Sequence, residues 1–126
     1  MTIVPGDQVE FVDLPDRSFG DPLRTVDAAS TVRIVQVERT EHPAAHRHPV
    51  SEKVISVVEG TGAVYVDGTF TKLGRGDLVH VPADAAHATV PDPGETMLLV
   101  CFFPHRKLAE NLEETDIDVM TAATDG

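Results

Sequence analysis

Three histidines stand close together in the segment HPAAHRHPVSEKVISVVEG, residues 42 to 60. His46 and His48 are two residues apart, so on a strand both imidazoles project from the same face, as a shared metal ion requires. Glu52 and Lys53 follow, and neighbouring strand residues point to opposite faces. A carboxylate binds a divalent cation readily, whereas an ammonium beside one is repelled. The segment predicts metal chemistry whose details depend on which of Glu52 and Lys53 faces inward.

Short strands must position these residues. Nine glycines and nine prolines divide the chain into short segments rich in Val, Ile, Thr and Phe. Asp67-Gly68, between AVYV and TFTKL, is a favoured pair for a tight hairpin turn. Such short, regularly spaced strands indicate an antiparallel sandwich or barrel. We predict strands near residues 9–14, 31–38, 53–59, 62–67, 78–81, 86–90 and 96–103.

The C-terminal segment HRKLAENLEETDIDVMTAATDG breaks this pattern. It begins with helix formers, becomes acidic and ends in small polar residues. We predict one short helix at about residues 106–114, followed by a mobile tail. The alternative is a segment that packs over a barrel mouth or onto a second subunit.

Length and charge limit the function classes. The 126 residues fit one domain, and 41% hydrophobic content is ordinary for a globular protein. A net charge of -11, with ten Lys and Arg against 21 Asp and Glu, argues against nucleic acid and acidic membrane surfaces as partners. The chain shows no stretch of about 20 apolar residues and no signal-peptide pattern, so a cytoplasmic location is expected. Cys101 is the single cysteine, so any metal must be held by histidine and carboxylate.

A second segment, GRGDLVHVPADAAHATVP, contains Gly76, Pro82 and His87, and the spacing of these three residues matters for the comparison that follows. Together the two segments resemble the conserved motifs of the cupin superfamily, G-x5-H-x-H-x(3 or 4)-E-x6-G and G-x5-P-x-G-x2-H-x3-N. The first motif here reads Thr40, His46, His48, Glu52 or Lys53, and Gly60. The second reads Gly76, Pro82, Asp84, His87 and Pro91. The departures are at Thr40, Asp84, Pro91 and the glutamate.

The resemblance implies an all-β cupin fold, that is, a double-stranded β-helix or jelly-roll barrel of two antiparallel sheets, here with a short C-terminal helix. It also implies one divalent transition metal, such as zinc, iron, nickel or manganese, bound by His46, His48 and His87 and usually by one glutamate. We accordingly divide the chain into an N-terminal arm with strands (1–30), a conserved barrel (31–104) and a short helix with an acidic tail (105–126).

The position of the fourth ligand is ambiguous. Glu52 lies three residues past His48, as the family allows, but seven residues rather than six separate it from Gly60. Lys53 satisfies both spacings. Because a carboxylate suits a cation and a β-bulge could turn it inward, we predict His46, His48, Glu52 and His87 as the metal ligands. The alternative is a three-histidine site in which Lys53 turns away, pairs with an acid or, deprotonated, acts in catalysis.

Other residues are weaker candidates. His80 lies within the apolar strand DLVHVP and must face water or find a partner, so it joins Glu52 and Lys53 as a catalytic candidate. His42 and His105 are expected at the surface. Cys101 lies in the strand TMLLVCFFP, where one set of alternate residues could line a cavity, although simple core packing is favoured. Its thiol is expected to be inert.

Within the superfamily, HRHPVSEKVISVVEG is most similar to small single-domain cupins of aromatic polyketide biosynthesis, in which the pattern is H-x-H-P-x-S-E-E and some members are cyclases. Here a lysine replaces the second glutamate. The resemblance implies a Lewis-acid metal acting on a small-molecule substrate. The alternatives are a mononuclear non-heme iron dioxygenase and a non-catalytic small-molecule-binding module. The resemblance to the cupin superfamily also implies a homodimer.

Overall fold

The computed structural model describes residues 1–124, without the side chains of residues 122–124. Eleven strands and two short 3-10 turns, Gly6–Gln8 and Leu108–Glu110, precede a six-residue C-terminal helix. The strands are β1 (Phe11–Leu14), β2 (Arg17–Gly20), β3 (Thr31–Glu38), β4 (Ala44–Arg47), β5 (Lys53–Glu59), β6 (Gly62–Val66), β7 (Thr69–Leu73), β8 (Leu78–Val81), β9 (His87–Pro91), β10 (Thr96–Phe103) and β11 (Glu113–Asp118), and the helix is α1 (Val119–Thr124). No helix in this part of the chain is long and apolar enough to span a membrane.

The strands form two antiparallel sheets, which confirms the all-β prediction. One sheet has the order β1-β2-β3-β10-β5-β8 and the other β11-β4-β9-β6-β7. The prediction of a closed barrel is wrong, because no strand pairing joins the two sheets within the described residues. They pack face to face as an open jelly-roll sandwich.

The core between the sheets follows from residue alternation. Met97, Leu99, Cys101 and Phe103 of β10 are all buried, whereas Phe102 is 40% exposed. They pack in one cluster with residues from both sheets, including Ile55 of β5, which places this cluster between the sheets. Burial of this alternate set is the main favourable contribution to sheet packing.

Two turns confirm backbone geometry that the sequence suggests. Asp67 and Gly68 both have positive φ, of 44° and 94°, as a two-residue hairpin turn between β6 and β7 requires. Asp84, which stands where the cupin motif has glycine, has φ 67°. Its backbone N–H donates to the His48 carbonyl at 2.8 Å, and so the turn before β9 is fixed to the segment after β4.

The C-terminal segment differs from the prediction of a helix at residues 106–114. Only a 3-10 turn forms there, and β11 then pairs with β4, where Glu114 is opposite His46. The Thr115 hydroxyl also donates to the Ala45 carbonyl. Pairing with the free edge of β4 overrides the helix propensity of this sequence. The predicted mobile tail reaches residues 125–126, which lie outside the described residues.

Gly60 joins β5 to β6 and provides a test of this packing. With φ 92°, it sits where an added Cβ would meet the Thr96 carbonyl oxygen and lie 3.0 Å from the Met97 Cα. Gly60→Ala should lower the free energy of unfolding by about 3 kcal/mol, through left-handed strain plus overpacking. Gly68→Ala is the control, because Gly68 has φ 94° but no atom near its Cβ position. It should cost about 1 kcal/mol in urea denaturation, and equal losses would contradict this account.

Candidate metal centre and adjoining cavity

Three histidines converge between the two sheets. His46 of β4 is directly opposite His87 of β9, and His48 follows at the end of β4. One nitrogen atom of each ring lies within 4.8 Å of the others. The ring centroids are 4.4 Å apart for His46 and His87 and 5.1 Å apart for the other two pairs. The structure thus brings together the three predicted imidazole ligands.

Backbone carbonyls orient two of these rings. His48 Nδ1 donates to the Asn111 carbonyl at 2.7 Å, and His87 Nδ1 donates to the Ala85 carbonyl at 3.0 Å. Because a carbonyl only accepts, each Nδ1 must carry the proton, so the lone pair of each ring lies on Nε2. Metal-binding histidines show this arrangement, with the ring nitrogen opposite the metal bound to a carbonyl or carboxylate.

His48 Nε2 is buried without a hydrogen-bond partner among the described residues. An unpaired buried acceptor costs free energy, so we expect a further group to bind the lone pair of His48 Nε2. The donor set fits a divalent transition metal, since three imidazole nitrogens are typical ligands for zinc, iron or nickel.

Burial keeps the imidazoles uncharged. Desolvation, with smaller contributions from the positive charge of Lys53, lowers the pKa of His48 to about 4 and that of His87 to about 3. The pKa of His46 is also well below its ordinary value for the same reasons. Neutral imidazoles are the form that binds a metal, so little proton competition is expected at neutral pH.

Lys53 stands beside this cluster. It is the first residue of β5, it is buried with Ile55 and Val57 on the inward face, and its Nζ donates to His87 Nε2 at 3.2 Å. Burial lowers the pKa of its ammonium. Nζ also lies 5.5 Å from the centroid of the Phe103 ring. Lys53 therefore occupies the place where the cupin pattern has its carboxylate.

The structure does not bring Glu52 to the histidines. Its carboxylate accepts from His80 Nε2 at 3.2 Å, and both side chains are more than half exposed. The bulge that would turn Glu52 inward does not form, because Lys53 pairs with Val81 and Val54 with His80 in unbroken register. The predicted fourth ligand and the His80 candidate thus lie together on the outer face.

A cavity of about 530 Å³ opens beside the cluster. His46, His48 and Lys53 line it, together with an apolar wall from β3 and β10 and the charged residues Asp16, Arg17, Arg33, Glu38 and Glu114. Cys101, buried and unpaired, lies in the wall next to Leu99 and Phe103 of the same strand face. These wall residues are Val35, Val37, Leu99, Cys101 and Phe103. A concave pocket that combines an apolar wall with convergent polar groups is typical of a small-molecule site.

The remaining histidines lie outside this cluster. His42 Nδ1 bonds to the Asp118 carboxylate at 2.8 Å on the surface, and His105 Nδ1 bonds within its own exposed turn, to Lys107. Sequence reasoning missed Asn111, a fully buried residue whose carbonyl orients His48. The only signal in the sequence was that Asn111 is the sole asparagine of the chain.

The chain belongs to the cupin family. Residues 33–103, more than half of the sequence, match the cupin domain family Cupin_2. This match includes the three histidines, Lys53 and most of both sheets. It ends before Asn111 and β11.

Several solved structures share the fold at low sequence identity. The polyketide cyclase RemF from Streptomyces resistomycificus is 19% identical, with a TM-score of 0.76 over 98% of this chain and 96% of that chain. The nucleoside dehydratase Pac13 is 20% identical, with a TM-score of 0.73 over 91% of both chains, and a Streptomyces Pac13 variant is described with uridine. KdgF from Halomonas sp. is 20% identical, with a TM-score of 0.68 over 83% of this chain and 96% of that chain. No curated protein matches the chain.

The lowered histidine pKa values predict how the stability of the metal-free protein depends on pH. Unfolded imidazoles titrate near 6.5, so below that pH the unfolded chain binds protons that the folded chain does not. The free energy of unfolding is then highest above about pH 6.5 and falls as the pH drops towards 4. Urea denaturation across this range measures the slope.

His87→Gln is the matched variant for this experiment. Removing one such group should make the slope between pH 6 and 4.5 shallower by up to about 1.4 kcal/mol per pH unit, the value for one proton. An unchanged slope would mean that His87 is already protonated in the folded protein.

Proposed function

We propose that this chain is a metal-dependent small-molecule enzyme in which His46, His48 and His87 bind one divalent transition metal without a carboxylate ligand. The observation that carries the proposal is the unpartnered, buried Nε2 of His48, beside two further neutral imidazoles and next to a cavity. When bound, the metal would supply Lewis-acid chemistry by polarising a carbonyl group of the substrate.

We propose cyclisation of a polyketide-like carbonyl compound as the reaction. The 19% identical polyketide cyclase fold supports this choice, as does a cavity of about 530 Å³ with an apolar wall from β3 and β10 beside the three histidines. Cyclisation of this kind is redox-neutral. A proton leaves the carbon next to one carbonyl, that carbon forms a bond to a second carbonyl carbon, and the second carbonyl oxygen gains a proton.

Lys53 is the residue proposed to move this proton. Its amine lies at the cavity wall, and burial lowers its pKa towards the range in which a neutral amine can act as a base. Glu52 and His80, the other two candidates from the sequence, lie on the outer face. The apolar side chains of Leu99 and Phe103 would exclude water from the reacting carbon.

A homodimer and a cytoplasmic location are also proposed. Support for the dimer comes from β1, the edge strand of the six-stranded sheet, where Phe11, Val12 and Leu14 are each nearly half exposed. Such an apolar edge is a ready surface for a second chain. The cytoplasmic location rests on the sequence alone.

Zinc affinity of the site variants tests the ligand set. Calorimetric titration of chelator-treated protein should show one zinc per chain, and His87→Ala should weaken binding at least about 100-fold. Lys53→Glu should tighten it about 10-fold, because a carboxylate can bind the ion, whereas the Lys53 ammonium must first lose its proton or move. Glu52→Ala is the control and should stay within about twofold. Loss of zinc in Glu52→Ala would restore Glu52 as a ligand, and no zinc binding in the wild type would refute the metal site.

Exchange of α-protons tests the chemistry. We expect the zinc-loaded protein, without oxygen, to speed deuterium exchange at the methyl group of 2-acetylnaphthalene in D2O, as followed by NMR. Lys53→Met should lower the rate roughly 100-fold while keeping zinc bound, and Glu52→Gln should not. Oxygen uptake by the iron-loaded protein with a substrate would instead favour the dioxygenase alternative. Binding without exchange or oxygen uptake would favour the non-catalytic binding module.

A further inference from the structure

Asn111 lies in the turn between the 3-10 segment Leu108–Glu110 and β11, outside the residues that match the cupin family. It is fully buried, at 0% exposure, although a polar amide is costly to bury unless it is hydrogen-bonded. Its backbone N–H donates to the Leu108 carbonyl at 2.9 Å. The remaining polar groups of Asn111 all bond to the segment that joins β4 to β5.

The Asn111 side chain holds that segment by three hydrogen bonds. Its Oδ1 accepts from the backbone N–H groups of Val50, at 2.8 Å, and Ser51, at 3.0 Å. Its Nδ2 donates to the Ser51 hydroxyl at 2.6 Å, and that hydroxyl in turn donates to the Glu52 carbonyl at 2.9 Å. The joining segment carries His48 at its start and leads into Lys53, so one amide fixes the backbone between the two site residues.

The Asn111 carbonyl then acts on the site itself, since it accepts the Nδ1–H of His48. This contact fixes both the ring orientation and the tautomer, and so the lone pair of His48 stays on Nε2. The two contacts depend on each other. The Asn111 side chain fixes the position of its turn, and in this position the Asn111 carbonyl lies within hydrogen-bond distance of the His48 ring.

The same turn forms part of the cavity wall. Leu108, Ala109, Leu112 and Glu114 line the cavity on this side, next to the histidines. Anchoring Asn111 therefore also seats the C-terminal segment against the site.

We propose that Asn111 is a positioning residue, which locks His48 into the Nδ1–H tautomer and fastens the C-terminal segment to the wall of the cavity. The effect on tautomer stands without a metal. The effect on metal affinity rests on the proposed function, because it assumes that His48 is a ligand.

Nitrogen NMR of protein labelled with 15N-histidine tests the tautomer directly, at pH 7.5 and without metal. In the wild type, His48 should show a protonated Nδ1 and an unprotonated Nε2. In Asn111→Leu, whose side chain has the same branched shape and number of heavy atoms but no polar groups, we expect a substantial Nε2–H population in His48. His87 is the internal control, because its Nδ1 donates to Ala85 in another loop. Glu110→Gln, an exposed neighbour, is the control variant.

Zinc titration gives the second readout. Asn111→Leu should weaken zinc binding about 10- to 100-fold, the usual effect of losing an outer partner of a metal-bound histidine. Asn111→Asp keeps an acceptor for both N–H groups and should restore the wild-type tautomer. A changed tautomer in a protein that binds no zinc at all would refute the proposed function and support the positioning role.

The proposal is overturned if folded Asn111→Leu keeps the wild-type His48 signals and binds zinc within about twofold of the wild type. It is also overturned if the signals of His87 change as much as those of His48, because that would show general loosening. Should Asn111→Leu fail to fold, Ser51→Ala carries the test, since it removes the hydroxyl that bonds to Asn111 Nδ2 and to the Glu52 carbonyl but keeps both N–H bonds to Asn111 Oδ1. Exchange broadening of His48 and a loss of at least about threefold in zinc affinity are then expected, and unchanged values contradict the proposal.

Discussion

The structure depends on burying three imidazole rings between the two sheets without leaving them charged. Desolvation is the largest cause of the lowered pKa of each histidine in the cluster and of Lys53. Neutral imidazoles are tolerated there because backbone carbonyls accept the protons of His48 and His87. Each carbonyl belongs to a turn. The turn that contains Asp84 and the turn that contains Asn111 are both hydrogen-bonded to the segment after β4. The two turns thus provide the carbonyl groups that hold the buried imidazoles in place.

Lys53 gives this site a character different from a three-histidine, one-glutamate centre. Without an ion, its amine donates to His87 Nε2 and so satisfies an acceptor that would otherwise be unpaired in an apolar core. A divalent ion and an ammonium compete for the same lone pair, so metal binding requires Lys53 to move or to lose its proton. Under the proposed function, the same amine is the group that moves the proton inside the cavity.

Local patterns in the sequence predicted the parts of this structure that they determine. Alternation identified β3, β5 and β10, the Asp67-Gly68 pair identified the hairpin, and motif spacing brought together the three histidines. Motif spacing also favours Lys53, whereas the preference of cations for carboxylates favours Glu52. The structure follows the register, because unbroken pairing of β5 with β8 costs less than a bulge that would bury a charged carboxylate.

Non-local contacts determine what the sequence could not predict. Residues 106–114 have helix formers, yet the free edge of β4 recruits the following residues as β11. The importance of Asn111 arises from partners some 60 positions away in the chain, and no local pattern marks such a contact.

Anomalous diffraction from crystals grown with zinc tests the central claim most directly, because it locates the ion and its ligands in one experiment. The account predicts one anomalous peak per chain, bound by nitrogen atoms of His46, His48 and His87, with the Lys53 amine displaced from His87 and Glu52 still paired with His80. A peak bound by the Glu52 carboxylate, or no peak among the three histidines at saturating zinc, would contradict it.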